Sequence, residues 1–521
     1  MDALFQPLVA ATGASPDQLK LIFCLLVSYP LGSVFVRVPS PALKHAFNIA
    51  VTLFYLLAML NLANGALQLL ASSLATYFIA ANVKTSSMPW IVFVVVMGHL
   101  TVNHIIRALF EFSYETVEIT GPQMVLTMKL TTYAWNVFDG RRPIDELDKW
   151  QKEKRIAQTP SLLSFLGYVC YFPGILVGPY LEFADYMSLV EGTVFKSVKA
   201  EDMKNSGLVP KGRKRVAYRK LITGLAFLGT FVVFGGSYNY GNATKDWFTE
   251  YNILYRIAIF QFYGFIERTK YYAIWTLTEG AAIITGLGFT GYGPSGETRW
   301  KGAANVQILS IEVPPNLKVL LDSWNMKTNV WLRECVYKRV TPKGKKPGFR
   351  SSMITFATSA FWHGISGGYY LAFTMGGFVQ TIGRLCRSNI RPLFLPATYV
   401  ATRDAPPPPQ TTAKIAYDVI GTVCTVLLLN YMAAPFMLLS LKDSFLGWAN
   451  LQYYGIVMTV AAFAFFYGPG TSILKKMQAQ RVKKAGGVPV QANGVVKTPG
   501  PQVQTLPPLD VAAQRFEKKV A

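Results

Sequence analysis

Only four histidines occur in 521 residues: His45, His99, His104 and His363. His363 stands apart because it lies deep in a run of small and apolar residues. That run is Thr358-Ser359-Ala360-Phe361-Trp362-His363-Gly364-Ile365-Ser366-Gly367-Gly368-Tyr369-Tyr370. An ionisable group at membrane depth is costly and marks a functional candidate by default. An apolar setting disfavours imidazolium, which leaves a neutral ring able to accept a proton. Gly364, Gly367 and Gly368 permit close approach of helices or of a long ligand. A buried histidine bonded to a backbone carbonyl explains the same residues equally well. His45 sits beside Lys44 at the edge of an apolar block and reads as interfacial. His99 and His104 flank Asn103 and read as structural hydrogen-bonders; five apart, they share a helix face too poorly to pair on a metal.

A second polar cluster, residues 321–340, reads as one amphipathic helix. Trp324, Thr328 and Trp331 recur at helical spacing, while Asn325, Asn329 and Arg333 step by four and line one stripe. Such a helix lies in the headgroup plane with its aromatics inward, or its stripe faces a cavity holding a polar headgroup or a nucleotide. Glu279, followed by Gly280 inside an apolar block, needs a partner: Arg268, Lys270 or a water-filled cavity. A structural ion pair accounts for it as well. The five cysteines form no CxxC pair, so neither a disulfide framework nor a zinc site is implied. Nothing beside Cys335 would favour its thiolate.

The elements that must carry these groups are membrane helices. Hydrophobic residues make up 51% and charged residues 15%, against about a quarter charged in soluble domains. Aromatics reach 14%, with 27 Tyr and 10 Trp, as expected of rings at membrane interfaces. The apolar residues come in blocks of roughly 20, the length a helix needs to cross a bilayer. These blocks are 19–36, 46–62, 66–81, 90–110, 162–181, 221–236, 253–266, 271–289, 353–379, 415–441 and 453–467. The expectation is therefore an all-α, polytopic protein of about eleven transmembrane helices, with one membrane-embedded domain over 1–470. Disorder, a coiled coil and a small disulfide scaffold are excluded.

The net charge of +23 fits nucleic-acid binding less well than short basic cytosolic loops, because the cations lie between apolar blocks and in the tail. Residues 196–220 carry nine cations against Glu201 and Asp202 and read as cytosolic. Asn242-Ala243-Thr244, one crossing further on, is a glycosylation sequon that would then be lumenal. Pro406 to Pro409 form an extended polyproline loop. The tail, 471–521, is basic and low in complexity; it reads as disordered and cytosolic, with a start suited to anionic lipid. Its last residues, Lys518-Lys519-Val520-Ala521, match a dilysine signal for the endoplasmic reticulum. The N-terminus lacks the basic start of a cleavable signal, so the first span reads as an uncleaved insertion signal.

Motif order then points further. Ile119-Thr120-Gly121-Pro122-Gln123-Met124 leads to Lys129-Leu130, Asn136 and Asp139-Gly140. Tyr171-Phe172-Pro173-Gly174-Ile175-Leu176-Val177-Gly178-Pro179 and Phe183 follow. Tyr271-Tyr272, Trp275, Glu279-Gly280 and Gly286-Leu287-Gly288-Phe289 precede a W-N-x-x-T-x-x-W-L pattern at 324–332 and the W-H-G at Trp362. In this order the chain resembles the membrane-bound O-acyltransferase family, and more narrowly its fungal and animal lysophospholipid acyltransferases. The likeness covers about 120–370. It implies a fold around a central reaction chamber, and transfer of a fatty acyl group from acyl-coenzyme A to a lysophospholipid hydroxyl. His363 matches the family's invariant histidine, here the general base, and Asn325 its conserved Asn. Asn325 would serve an oxyanion, the acceptor or the orientation of His363. Trp324, Thr328, Asn329, Trp331, Arg333, Trp362 and Glu279 are the expected substrate-contacting residues. Lys338 and Arg339, with Lys343, Lys345 and Lys346, stand where coenzyme A would enter, or are a plain topology signal. Acyl-coenzyme A is a co-substrate; no cofactor, metal or nucleic acid is expected. A sterol, diacylglycerol or protein acceptor is the alternative within the enzyme class. A transporter or scramblase is the alternative outside it, for which inverted repeats would be the sign and none is found.

Overall fold

A computed structural model describes residues 2–110, 116–196, 198, 209–342, 344–345, 348–397, 399 and 407–486. Lys199, Glu201, Asp202 and Lys204 of the basic loop lie outside them, as do Lys343, Lys346, Pro406 and the terminal Lys518–Ala521. No strand occurs among the described residues; Tyr292 and Thr298 form one isolated bridge.

The chain opens with α1 (Asp2–Thr12), α2 (Pro16–Arg37), α3 (Pro41–Leu53, extended by a π turn, Phe54–Met59), α4 (Ala63–Asn82), α5 (Met88–Leu109) and α6 (Thr120–Gly140). Starts are set by local chemistry. Ser15 and Gln18 form a reciprocal capping box, and Pro16 and Pro41 stand where a missing N–H costs nothing. The short α7 (Lys149–Lys154), α8 (Leu162–Val169) and α9 (Phe183–Val190) follow, then the long α10 (Arg213–Phe234) and α11 (Ile253–Ile284).

Helices α10 and α11 are an antiparallel pair. The Arg213 guanidinium at the start of α10 donates to the Ile284 carbonyl at the end of α11, 3.0 Å away. Two glycines allow the close packing. A Cβ on Gly224 would strike Leu277, and one on Gly280 would strike the Tyr29 hydroxyl of α2. The apolar blocks 253–266 and 271–289, expected as two spans, are thus one 32-residue helix. Arg268 at its middle is matched by a carboxylate: its Nε and Nη2 lie 2.8 and 2.7 Å from the two Glu312 carboxylate oxygens.

Among the described residues, five helices are long and apolar enough to cross a membrane, six if a pair bent by 82° at residues 441–467 counts as one. The eleven apolar blocks do not each become a straight span. Block 162–181 yields only α8 followed by turns through Tyr171–Leu181. Conversely α6, absent from the expected spans, is a 21-residue helix buried on nearly every side.

The C-terminal half holds α12 (Ile308–Glu312), α13 (Leu317–Ser323), α14 (Met326–Leu332), α15 (Phe349–His363), α16 (Gly367–Asn389), α17 (Thr412–Leu438), α18 (Leu441–Asn450), α19 (Tyr454–Tyr467) and α20 (Gly470–Lys484). Block 353–379 is also not one span. α15 and α16 fold back on each other: Phe349 meets Phe378, Phe356 meets Phe373, and Arg384 reaches Ser352. The turn is at Gly364–Ser366, where Gly364 adopts φ 139°, a backbone state that L side chains avoid. The start of the expected tail is ordered as α20; 487–521 lie outside the described residues.

Candidate active site

Helix α6 is the platform. It presents Met124, Met128 and Thr131 at i, i+4 and i+7, hence on one face. The Trp362 indole N–H donates to the Met124 carbonyl at 3.0 Å. Thr328 Oγ1 lies 3.4 Å from Met128 Sδ. The Trp331 indole N–H donates to Thr131 Oγ1 at 2.8 Å. The His363 and Asn325 segments therefore dock on one stripe spanning about 10 Å of helix, at 1.5 Å per residue. Trp331 and Trp362 also touch each other, with centroids 5.6 Å apart. No periodic pattern in the chain hints at this platform, because α6 is buried all round and shows no polar face.

The expected continuous helix over 321–340 is broken at Trp324–Asn325. Asn325 adopts φ 43°, ψ 54°, a left-handed state that Asn tolerates better than most residues. The break is held from outside by Asn305, which sequence reasoning missed in its irregular segment. The Asn305 carbonyl accepts from the Met326 N–H at 2.9 Å, and Asn305 Oδ1 accepts from the Lys327 N–H at 2.9 Å. Asn305 Nδ2 donates to Asn325 Oδ1 at 3.2 Å, and the Thr328 hydroxyl donates to the same oxygen at 2.8 Å. Asn329 is spent on the same joint, donating to the carbonyls of Leu321 and Trp324. Thus Asn325 and Asn329 do not line one stripe: the break turns Asn329 onto backbone. Trp324 faces the other way, into Tyr271 and Trp275 of α11, at centroid distances of 5.4 and 5.0 Å.

His363 ends α15 at the tip of the α15–α16 hairpin, about 21 Å along the helix from Phe349. Four aromatic rings surround it: Trp362 at 4.6 Å, Phe436 at 4.7 Å, Phe373 at 5.4 Å and Tyr369 at 5.6 Å. The other three histidines are engaged. His45 Nδ1 pairs with the Tyr186 hydroxyl at 2.7 Å, His99 with Ser72 and Gln68, and His104 Nε2 with the Trp362 carbonyl at 3.2 Å. Among the described residues, only His363 has neither ring nitrogen hydrogen-bonded by the protein.

The charged candidates sit in ion pairs. Glu279, almost fully buried, meets Lys220 of α10 at 2.9 Å; its expected partners Arg268 and Lys270 are taken by Glu312 and Glu267. Arg333 pairs with Glu334, and Lys338 lies 2.6 Å from both Glu334 and Asp148. Burial works against a charged Asp148, but Lys338 and the Gln151 N–H outweigh it and hold the carboxyl below its usual range. Arg339 grips buried Asp139 with both guanidinium arms and stacks over Trp135 at 4.2 Å. Lys338 and Arg339 therefore carry little free positive charge. Asn242 lies in the connection between α10 and α11, and its amide donates to the Ser237 carbonyl at 2.7 Å.

The chain as a whole is similar to known proteins. The chain is 39% identical over 483 residues to a lysophospholipid acyltransferase of Schizosaccharomyces pombe, covering 92% of each protein. It is 37% identical to the Saccharomyces cerevisiae lysophospholipid acyltransferase, over 90% of this chain and 77% of that protein. It is 30% identical to human membrane-bound glycerophospholipid O-acyltransferase 2, over 86% and 85%. Residues 57–403, which include α6, the Asn325 break and the His363 tip, match the model of one family. The chain belongs to the membrane-bound O-acyltransferase family.

Proposed function

We propose that this protein transfers a fatty acyl group from acyl-coenzyme A to the free hydroxyl of a lysophospholipid, with His363 as general base. The acceptor hydroxyl attacks the thioester carbonyl while a His363 ring nitrogen takes its proton. The tetrahedral oxyanion collapses, the carbon–sulfur bond breaks, and the coenzyme A thiolate leaves and takes up the proton. The observation that carries this reading is the contrast among the four histidines: His363 alone keeps both nitrogens free, inside an aromatic cage at a helix tip. Asn325 has its side-chain oxygen pinned by Thr328 and Asn305. Its amide N–H groups, which no described residue accepts, are left to donate to the oxyanion or the acceptor. That favours donation over the orienting of His363. The acceptor class comes from the names of the relatives. A membrane of the endoplasmic reticulum, with the tail in the cytosol, belongs to this reading, and the basic loops support that orientation.

The test is His363→Ala in purified full-length protein. Acyl transfer to lysophospholipid should fall about 10²–10⁴-fold with an unchanged melting temperature. Full transfer by a folded variant refutes the base. One labelled acyl-coenzyme A offered lysophospholipids, diacylglycerol, a sterol and a peptide tests the acceptor class, and labelling of another acceptor in preference refutes it.

A further inference from the structure

Helix α20 has two unlike faces. At about 100° per residue, Gly470, Leu474, Gln478 and Arg481 fall on one side, and this side is docked. Leu474 packs with Ile382 and Phe466. Gln478 donates to the Asn389 carbonyl at 2.6 Å, and Arg481 donates to the carbonyls of Pro392, Leu393 and Leu395. The adjoining flank carries the apolar side chains of Ile473 and Met477, both exposed. Gln480, also exposed, falls between Ile473 and Lys476 around the helix. Lys476, Lys483 and Lys484 lie on or beside that flank, whereas Lys475 projects to the far side. None of these four lysines has an ion-pair partner among the described residues, and the helix contains no acid. The helix begins three residues after Tyr467, the exposed end of apolar α19, whose outer face shows Val457, Val460 and Phe465. Exposed apolar side chains edged by lysines, beginning where a lipid-facing helix ends, match an anionic bilayer surface and are costly in water alone.

We propose that α20 lies on the anionic lipid leaflet at its end of the bundle, with Ile473 and Met477 in the headgroup layer and Lys476, Lys483 and Lys484 on lipid phosphates or carboxylates. This does not depend on the acyl-transfer reading. The occupant is the bilayer itself, since the docked face already consumes the polar groups that would hold a protein segment.

The test uses full-length protein labelled with an environment-sensitive fluorophore at Gln480→Cys, a position on the flank that removes neither an apolar anchor nor a charge. The unsubstituted protein is the labelling control. The labelled protein is reconstituted in phosphatidylcholine vesicles with or without about 30 mol% phosphatidylserine. The expected result is a blue-shifted, lipid-quenchable probe in the anionic vesicles, reversed by about 0.5 M salt. Each of Lys476→Gln, Lys483→Gln and Lys484→Gln should lower the ratio of lipid-contacting to lipid-free probe about fivefold, and Lys475→Gln should leave it unchanged. Identical probe signals in both vesicle types overturn the proposal, as does indifference to the triple substitution. A blue shift that vanishes when 487–521 are deleted assigns the flank to the chain's own tail and also overturns it.

Discussion

At the scale of single residues, Asn325 carries two separable demands, a left-handed backbone and a side chain that accepts from Thr328 and Asn305. Asn325→Gly keeps the backbone and removes the amide. It should fold with a melting temperature near that of the parent and lose about 10²–10³-fold in turnover, the usual cost of one oxyanion donor. Asn325→Ala adds the strain of a left-handed alanine, about 1–2 kcal/mol, and should lower the melting temperature as well. Full activity in the glycine variant would reduce Asn325 to a hinge. The residue types of this site were readable from the chain, since Trp324 to Leu332 and Trp362 to Gly364 carry them. The break at Asn325 was not, because Asn325, Asn329 and Arg333 satisfy helical spacing by themselves. Only Asn305, twenty positions away, supplies the acceptors that make stopping the helix cheaper than continuing it.

Among the elements, the α15–α16 hairpin decides where His363 stands, and one contact from α5 holds its tip. The Trp362 carbonyl, at the end of α15, has no helical N–H to accept, and His104 Nε2 supplies the donor. His104→Ala should leave KM nearly unchanged and lower kcat about 10–100-fold, since small misplacement of a catalytic group is expensive. His104→Gln keeps a donor and should recover much of the loss. Equal damage from both variants would make His104 a packing residue only. The hairpin itself was hidden in the sequence. Residues 353–379 are mostly apolar or small, with His363 the one basic side chain among them, which marks membrane depth without saying whether the chain crosses or returns. The return depends on Gly364 at positive φ and on contacts such as Phe356 with Phe373, which no local pattern encodes. The Arg339–Asp139 pair separates two readings in the same way. Arg339→Met takes from buried Asp139 its two-armed partner and leaves only Arg142, 3.4 Å away, and should cost about 1–3 kcal/mol of stability with KM for acyl-coenzyme A unchanged. A raised KM at normal stability would instead return Arg339 to the coenzyme A path.

Over the whole molecule, charge and helix direction make one topology. Arg213, Lys214 and Arg215 begin α10, and Ile284 at the end of α11 lies against Arg213. Residues 235–252, at the other end of this pair, hold Asn242, Lys245 and Asp246. The positive-inside rule puts the basic end in the cytosol, and the length of α10, about 33 Å at 1.5 Å per residue, matches one bilayer crossing. Single cysteines report the two ends. In sealed vesicles with the cytosolic face outward, Lys214→Cys should react with a membrane-impermeant maleimide. Lys245→Cys should react only after detergent is added. The opposite pattern would invert the molecule and place the basic start of α10 in the lumen. Equal reaction at both positions would mean that α10 does not cross at all, and the paired glycines Gly224 and Gly280 would then be packing a helix that lies within the protein rather than one that carries the chain through lipid.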